Sequence, residues 1–285
     1  MNMEKILEIS ECEKLKDNKA ICNGDNIEMK NSSIIFSGQG NILVLDNQVR
    51  LVNSKIHFKG NNCVVYLRSN PKNDYYLNIA VSNENCVYIG ERNYFNGTLN
   101  MVVSEYQNIL IGDNGVFAFG IWMRTGDAHA LYDIHTRKRI NYGKSILVGD
   151  HVWLGQSAMV LKGTQFGSGA VLGGGSLISN KVVPSHTLFA GNPAKKLKED
   201  IAHLNWGVHS WTRDKMKLYN EMNDEVYVFE KSKKNCKSLK EIDRLLKGKT
   251  KAEEKVQIIQ KYLVQEKDVN RFYIGKVNKR RGIFK

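Results

Sequence analysis

Between Val148 and Val183 the chain repeats every six residues, as Val148-Gly-Asp-His-Val-Trp, Leu154-Gly-Gln-Ser-Ala-Met, Val160-Leu-Lys-Gly-Thr-Gln, Phe166-Gly-Ser-Gly-Ala-Val, Leu172-Gly-Gly-Gly-Ser-Leu and Ile178-Ser-Asn-Lys-Val-Val. An apolar residue opens each unit, Gly follows it in four of them, and a small or β-branched residue stands four places on: Val152, Ala158, Thr164, Ala170, Ser176 and Val182. A period of six fits neither the helix nor the alternating strand. It marks a solenoid, in which each repeat buries its apolar side only against its neighbours. Three sixes make one triangular coil, with the opening residues pointing inward. The Gly after each opening residue is expected at the bend, where positive φ is cheap only without a Cβ.

A looser repeat precedes this one. Cut at Gly38, Gly60, Ser82 and Ser104, the chain falls into units of 22 residues. Their columns align Leu43, Val65, Val87 and Ile109, and two places on Leu45, Leu67, Ile89 and Ile111. Leu77, Leu99 and Ile121 share another column, as do Ile79, Met101 and Met123. Alternating apolar positions separated by Asn and Gly describe strands joined by tight turns. These units read as wider coils of the same solenoid, with a set of antiparallel hairpins as the alternative.

The predicted fold is therefore an all-β solenoid with wider N-terminal coils and a C-terminal α-helical appendage. Residues 1–37 form an N-terminal cap, with Met3–Lys16 a short helix or a capping strand. Residues 38–198 form the solenoid, and 199–285 a basic helical extension. Pro184 and Pro193 bracket a last strand. Apolar residues then recur at helical spacing over 199–228 and 238–266, with Gly248 dividing the second stretch.

Charge is concentrated at the C-terminal end. The chain carries a net +13, yet residues 231–285 hold 18 Lys and Arg against 6 Asp and Glu. The rest is almost neutral. The five cysteines are scattered without a CxxC pair, which excludes a disulfide framework or zinc ribbon and suits a reducing compartment. No apolar run approaches the roughly 20 residues that span a bilayer. The start of the chain lacks the layout of a signal peptide. A cytoplasmic protein is expected.

One segment breaks both periods: Gly126-Asp-Ala-His129-Ala-Leu-Tyr-Asp133-Ile-His135-Thr-Arg-Lys-Arg-Ile-Asn141-Tyr-Gly. A polar loop leaving a rigid scaffold is where function is placed. His129, with an ordinary imidazole pKa of about 6.5, suits proton abstraction near neutrality. His135 is a rival, and either Asp127 or Asp133 is available to orient an imidazole.

Thr125-Gly-Asp-Ala-His129, Asn141, Ile146-Leu-Val-Gly-Asp-His-Val-Trp153-Leu-Gly, Val171-Leu-Gly-Gly-Gly-Ser176 and Ala190-Gly-Asn-Pro-Ala194 together resemble the hexapeptide-repeat acyltransferases. The branch is that of galactoside, maltose, xenobiotic and capsule polysaccharide O-acetyltransferases. The likeness covers about residues 108–198. It departs from galactoside-type members in the two residues between Gly126 and His129. The resemblance implies a left-handed parallel β-helix, a homotrimer, and acetyl-CoA bound as donor in clefts between subunits. It implies O-acetylation of a surface sugar or polysaccharide, with His129 as general base in a catalytic loop at about 126–145.

It also implies the remaining site. Trp153 opens into the cleft near the thioester, where an indole donates its N–H or excludes water, packing being the alternative. Gly155 and Gln156 approach the pantetheine arm. The Gly174 N–H meets the thioester carbonyl as an oxyanion donor. Ser179 and Lys181 lie along the arm and phosphates, and Lys195 and Lys198 pair with phosphates. No metal is expected.

The basic extension suits an acidic polysaccharide acceptor or the anionic inner face of a membrane, and equally a solvated face with no partner. Nucleic acid is disfavoured, since no recognised binding fold accompanies the charge. Sugar-amine N-acetyl transfer is the nearest alternative activity. From other classes stand a non-catalytic glycan-binding β-helix and a γ-carbonic-anhydrase-like zinc lyase, the latter needing His129, His135 and His151 as ligands.

Overall fold

The computed structural model describes residues 3–222 and 227–276. The chain winds into a parallel β-helix of about seven turns with a small C-terminal helical part. Its cross-section is a triangle. The first face holds the strands Ser33–Phe36, Lys55–Phe58, Leu77–Val81, Leu99–Val103, Trp122–Arg124, Met159–Leu161 and Leu177–Ile178. The second runs from Lys19–Asn23 through Ile42–Asp46, Val64–Leu67, Cys86–Ile89, Asn108–Ile111 and Ile146–Val148 to Gln165–Phe166 and Val182–Val183. The third holds Tyr94–Phe95, Val116–Phe117, Trp153–Leu154, Val171–Leu172 and Leu188–Gly191, closed by the antiparallel strand Ala194–Lys198.

Both repeats have the register expected of them. Leu43, Val65, Val87 and Ile109 lie in line on the second face, an offset of 22 residues per turn. From Trp153 to Val171 the offset is 18 residues. All six opening residues of the short repeat are at most 1% exposed. The final turn is one residue short, because Gln165 pairs with Val182 and Phe166 with Val183. Val183 is therefore buried, and Val182, four places after Ile178, is 41% exposed.

Two expectations need correction. The parallel ladder begins at Lys19–Asn23, ahead of Gly38, and Glu4–Ile6 caps it as an antiparallel edge strand followed by a 3-10 turn, Ile9–Lys14. The glycines after the opening residues are not the bends. Positive φ falls two residues later, at His151 (52°), Ser157 (56°), Gly163 (77°), Gly169 (73°) and Gly175 (64°). Gly149 and Gly155 are needed for close stacking instead. A Cβ on Gly155 would stand 2.5 Å from the Gly174 nitrogen, and one on Gly149 2.7 Å from that of Ser168.

The extension is less helical than its pattern suggests. Over 199–222 the one helix is α1, Arg213–Leu218. The second stretch forms α2, Leu239–Lys247, and α3, Ala252–Ile259, followed by a π-type turn, Gln260–Gln265. Ser238 caps α2, its hydroxyl accepting from the Glu241 amide while the Glu241 carboxylate accepts from the Ser238 amide, and Gly248 ends it.

Leu239, Ile242, Leu246, Val256, Ile259 and Leu263 pack against the outward side chains of the second face, among them Val44, Tyr66, Tyr88 and Leu110. Ion pairs fix the contact. The Arg271 guanidinium meets Asp113 at 3.1 Å and Asp150 at 3.3 Å, and Lys255 donates to the Glu84 carbonyl. Part of the positive charge of the extension thus neutralises acids on the β-helix. The Lys276–Arg281 run lies beyond the described residues except for Lys276, which pairs with Asp200 at 2.7 Å.

Candidate active site

The loop that breaks both periods leaves the corner between the first and second faces, bridging Trp122–Arg124 and Ile146–Val148. Asn141, 7% exposed, organises it. Its side-chain oxygen accepts from the Leu131 amide at 2.8 Å and from Arg139 Nε at 3.2 Å. Its side-chain nitrogen donates to Asp127 Oδ2 and to the His129 carbonyl, both at 2.8 Å. Arg139 in turn pairs with Glu105 at 2.7 Å, and the Gly143 amide donates to the same carboxylate. The loop is tied at both ends to the 22-residue coil beneath it.

These bonds hold His129 by its backbone and leave its ring exposed at the corner. Asp127 serves the loop rather than the ring. Lys162 donates to Asp127 Oδ2, and that bond, with the one from Asn141, holds the carboxyl below its ordinary pKa. Asp133 caps a local turn: its Oδ1 accepts from the His135 amide at 3.0 Å and the Thr136 amide at 2.6 Å. Neither aspartate is hydrogen-bonded to an imidazole among the described residues.

Ser179 and Lys181 flank Asn180 on the same corner, two coils further on, where Asn180 accepts from Lys144 Nζ at 2.9 Å. The remaining expected residues lie elsewhere. Gly155, Gln156 and Gly174 occupy the corner between the third and first faces, and Trp153, Lys195 and Lys198 the third face itself. At that corner the Gly175 amide donates to the Gln156 carbonyl at 2.7 Å, while the exposed Gly174 amide has no acceptor among the described residues. Lys181, Lys195 and Lys198 are exposed and outside every ion pair among the described residues. Within one chain the His129 corner and the Gly174 corner stay apart.

Trp153 is 43% exposed and leans on His203, with ring centroids 5.8 Å apart. His203 stacks on His151 at 4.0 Å, and Tyr227 covers the other side of His151 at 3.6 Å. The His151 ring nitrogens face the carbonyls of Asn114, at 3.3 Å, and His203, at 2.8 Å. Burial lowers the His151 pKa. Burial, together with the His151 ring, pushes that of His203 down to about 3. His151 is thus a turn and packing residue on the corner between the second and third faces. It is not available to a three-histidine metal site with His129 and His135.

No family model matches the chain. A polysialic acid O-acetyltransferase of Neisseria meningitidis is 30% identical over 127 residues, which cover 44% of this chain and 58% of that protein. One of Escherichia coli O1:K1 / APEC is 35% identical over 100 residues, 35% of this chain and 32% of that protein. The chain thus spans less than two thirds of either relative's length. The solved structure of a polySia-specific acetyltransferase superposes with a TM-score of 0.59 at 28% identity, covering 72% of this chain and 98% of that one. That of a polysialic acid O-acetyltransferase gives 0.55 at 25%, covering 70% and 98%. The relatives are hexapeptide-repeat O-acetyltransferases. The family likeness read from the sequence motifs is correct, and the fold is that of their left-handed β-helices.

Glu105, Arg139 and Lys162 escaped the sequence reading. Each is a charged residue that an isolated chain displays as an ordinary surface side chain. Their one sequence signal is position: Glu105 follows Ser104, where the last 22-residue unit begins, Arg139 closes the loop, and Lys162 stands on the coil after its origin.

Proposed function

We propose that this chain O-acetylates a capsule-type polysaccharide, moving acetyl from acetyl-CoA to a sugar hydroxyl with His129 as general base. The observation that supports it is the structural match to a polySia-specific acetyltransferase across 98% of that chain.

In this reading the His129 imidazole takes the proton of the attacking hydroxyl and returns it to the departing sulfur. Asn141 holds the His129 carbonyl, and Asp127 and Lys162 hold Asn141, so the three position the base without touching substrate. The Gly174 amide donates to the oxyanion that forms at the thioester carbonyl. At the same corner a Cβ on Gly175 would meet nothing within 4 Å, and this open space beside Gln156 fits the pantetheine arm of the donor. Ser179 and Lys181, on the His129 corner, meet that path from a second copy, and the exposed Lys195 and Lys198 meet its phosphates. Trp153 walls the thioester from water.

Because the His129 and Gly174 corners lie apart in one chain, a complete site needs a second copy. A homotrimer with three shared clefts satisfies this symmetrically. No helix among the described residues is long and apolar enough to cross a membrane. Association of the basic extension with an anionic surface belongs to the same proposal.

The test is thiol release from acetyl-CoA in the presence of polysialic acid and other capsule glycans, with mass spectrometry of the product. The expected result is an ester acetyl on a sugar hydroxyl. Acetyl recovered only as an amide would show N-acetyl transfer instead, and no glycan-dependent thiol release would reject the reading.

A further inference from the structure

The segment between the β-helix and α2 contains a cavity of about 390 Å³ that none of the expected site residues lines. Trp206, Trp211 and Tyr219 form its aromatic wall, with His203, Asn220 and Glu221 contributing polar edges. The rings support one another. Trp206 meets Tyr219 edge-on at 4.9 Å, and Trp211 lies 5.2 Å from the same ring. Trp206 is nevertheless 48% exposed, so the cluster presents an open aromatic surface rather than a closed core. Lys215, on α1, holds its ammonium over the Trp211 ring at 5.8 Å.

Its place in the fold matters as much as its lining. His203 is shared: its ring leans on Trp153 and is stacked against His151, and it also forms part of the cavity wall. The cavity is therefore continuous, through one side chain, with the face that carries Trp153. The stacking and the two reciprocal hydrogen bonds, each from a ring nitrogen to the other residue's backbone carbonyl, make that shared wall rigid. Burial keeps His203 uncharged through the neutral range, so the shared wall carries no cation there.

We propose that this cavity is a saccharide subsite, holding a unit of the acceptor glycan beyond the sugar that is acetylated. It rests on the glycan acetyltransferase reading above. A pyranose presents a flat C–H surface that fits the negative face of an aromatic ring, with hydroxyls around its edge. Two tryptophans and a tyrosine with an amide and a carboxylate at the rim match that division. The volume falls within the roughly 300–1,000 Å³ of ordinary small-ligand sites. Lys215 is the cation within reach of a carboxylate on a sugar stacked at Trp211.

The test uses the full chain and a short polysialic acid oligomer as probe, without donor, by isothermal titration. Trp206→Ala and Trp211→Ala are each expected to weaken oligomer binding about tenfold, the cost typical of truncating an aromatic anchor. Trp206→Tyr should recover most of the loss. In turnover, the KM for the polymer should rise while kcat, the acetyl-CoA KM and the acetylation of monomeric sialic acid stay at wild-type values. A melting curve guards against misfolding. Wild-type affinity in both alanine variants, or no binding of the oligomer by the wild type, overturns the subsite. Oligomer binding that depends on Trp206 in a protein that acetylates no glycan supports the subsite and rejects the activity.

Discussion

The second face of the prism and the other two differ in what covers them. From Ile42–Asp46 to Ile146–Val148 the second face is buried on both sides, by the β-helix core within and by α2 and α3 without. Its strands read as unbroken apolar runs, Ile42-Leu43-Val44-Leu45, Val64-Val65-Tyr66-Leu67 and Cys86-Val87-Tyr88-Ile89. The first face alternates, as in Leu77-Asn78-Ile79-Ala80-Val81, where only every second residue is buried. A strand buried on both faces needs no polar positions, and a half-buried one does. The helices thus commit one face to stability. The two open faces and their corners remain for the proposed donor, acceptor and second copy.

If that division of labour holds, variants on the two kinds of surface separate cleanly. The largest effect is expected at the loop corner. His129→Ala should lower acetyl transfer by about 10²- to 10⁴-fold with an unchanged melting temperature, read by thiol release and calorimetry on the same sample. A parallel loss of stability would show that the histidine is structural. On the covered face the reverse is expected. Leu246→Ala, at a fully buried position, should cost about 2–5 kcal/mol in denaturant unfolding and leave the acetyl-CoA KM intact. Asn78→Ala on the open first face should stay within about 0.5 kcal/mol by the same measurement. Equal losses at Leu246 and Asn78 would break the comparison.

Smaller effects sharpen it. Lys195→Ala is expected to raise the acetyl-CoA KM several-fold with little change in kcat, since an exposed cation contributes to binding and not to the chemical step. An unchanged KM would move the phosphates elsewhere. The smallest effect concerns pH. The His203 pKa is depressed from 6.5 to about 3 in the folded chain. The unfolded chain therefore binds the extra proton first, so the stabilisation is complete above pH 6.5 and declines as pH falls toward 3. Melting temperatures from pH 7.5 to 5 should fall less steeply in His203→Phe than in the wild type. Identical slopes would place the acid sensitivity in other groups.

Much of this was legible in the sequence. The inward columns of both repeats are local periodicities, and burial enforces them wherever the coil stacks. Val182 and Val183 mark the limit: a one-residue shortening of the last turn exchanges the buried and exposed members of an apolar pair. The unbroken apolar runs of the second face also carried a signal for a covering layer, which the 22-residue columns passed over because they count one side of each strand.

The candidate site was legible as residue types and not as an arrangement. His129 and Gly174 stand out by type and motif, but sequence order does not reveal that they occupy different corners of a triangle. Asp127 illustrates the rest, since a carboxylate two residues from a histidine reads as its orienting partner. Folding instead brings Lys162 to it from the next coil and Asn141 from the far end of the loop.

By itself, then, the sequence determined the solenoid, its inward residues, the loop that interrupts it and the acyltransferase likeness, because each is written in short-range pattern. Tertiary structure alone decided which glycines permit stacking and which residues make the bends. It also decided where the basic residues of the extension find acids, and which polar side chains hold His129. Those choices depend on contacts between residues one or more coils apart, and no local period records them.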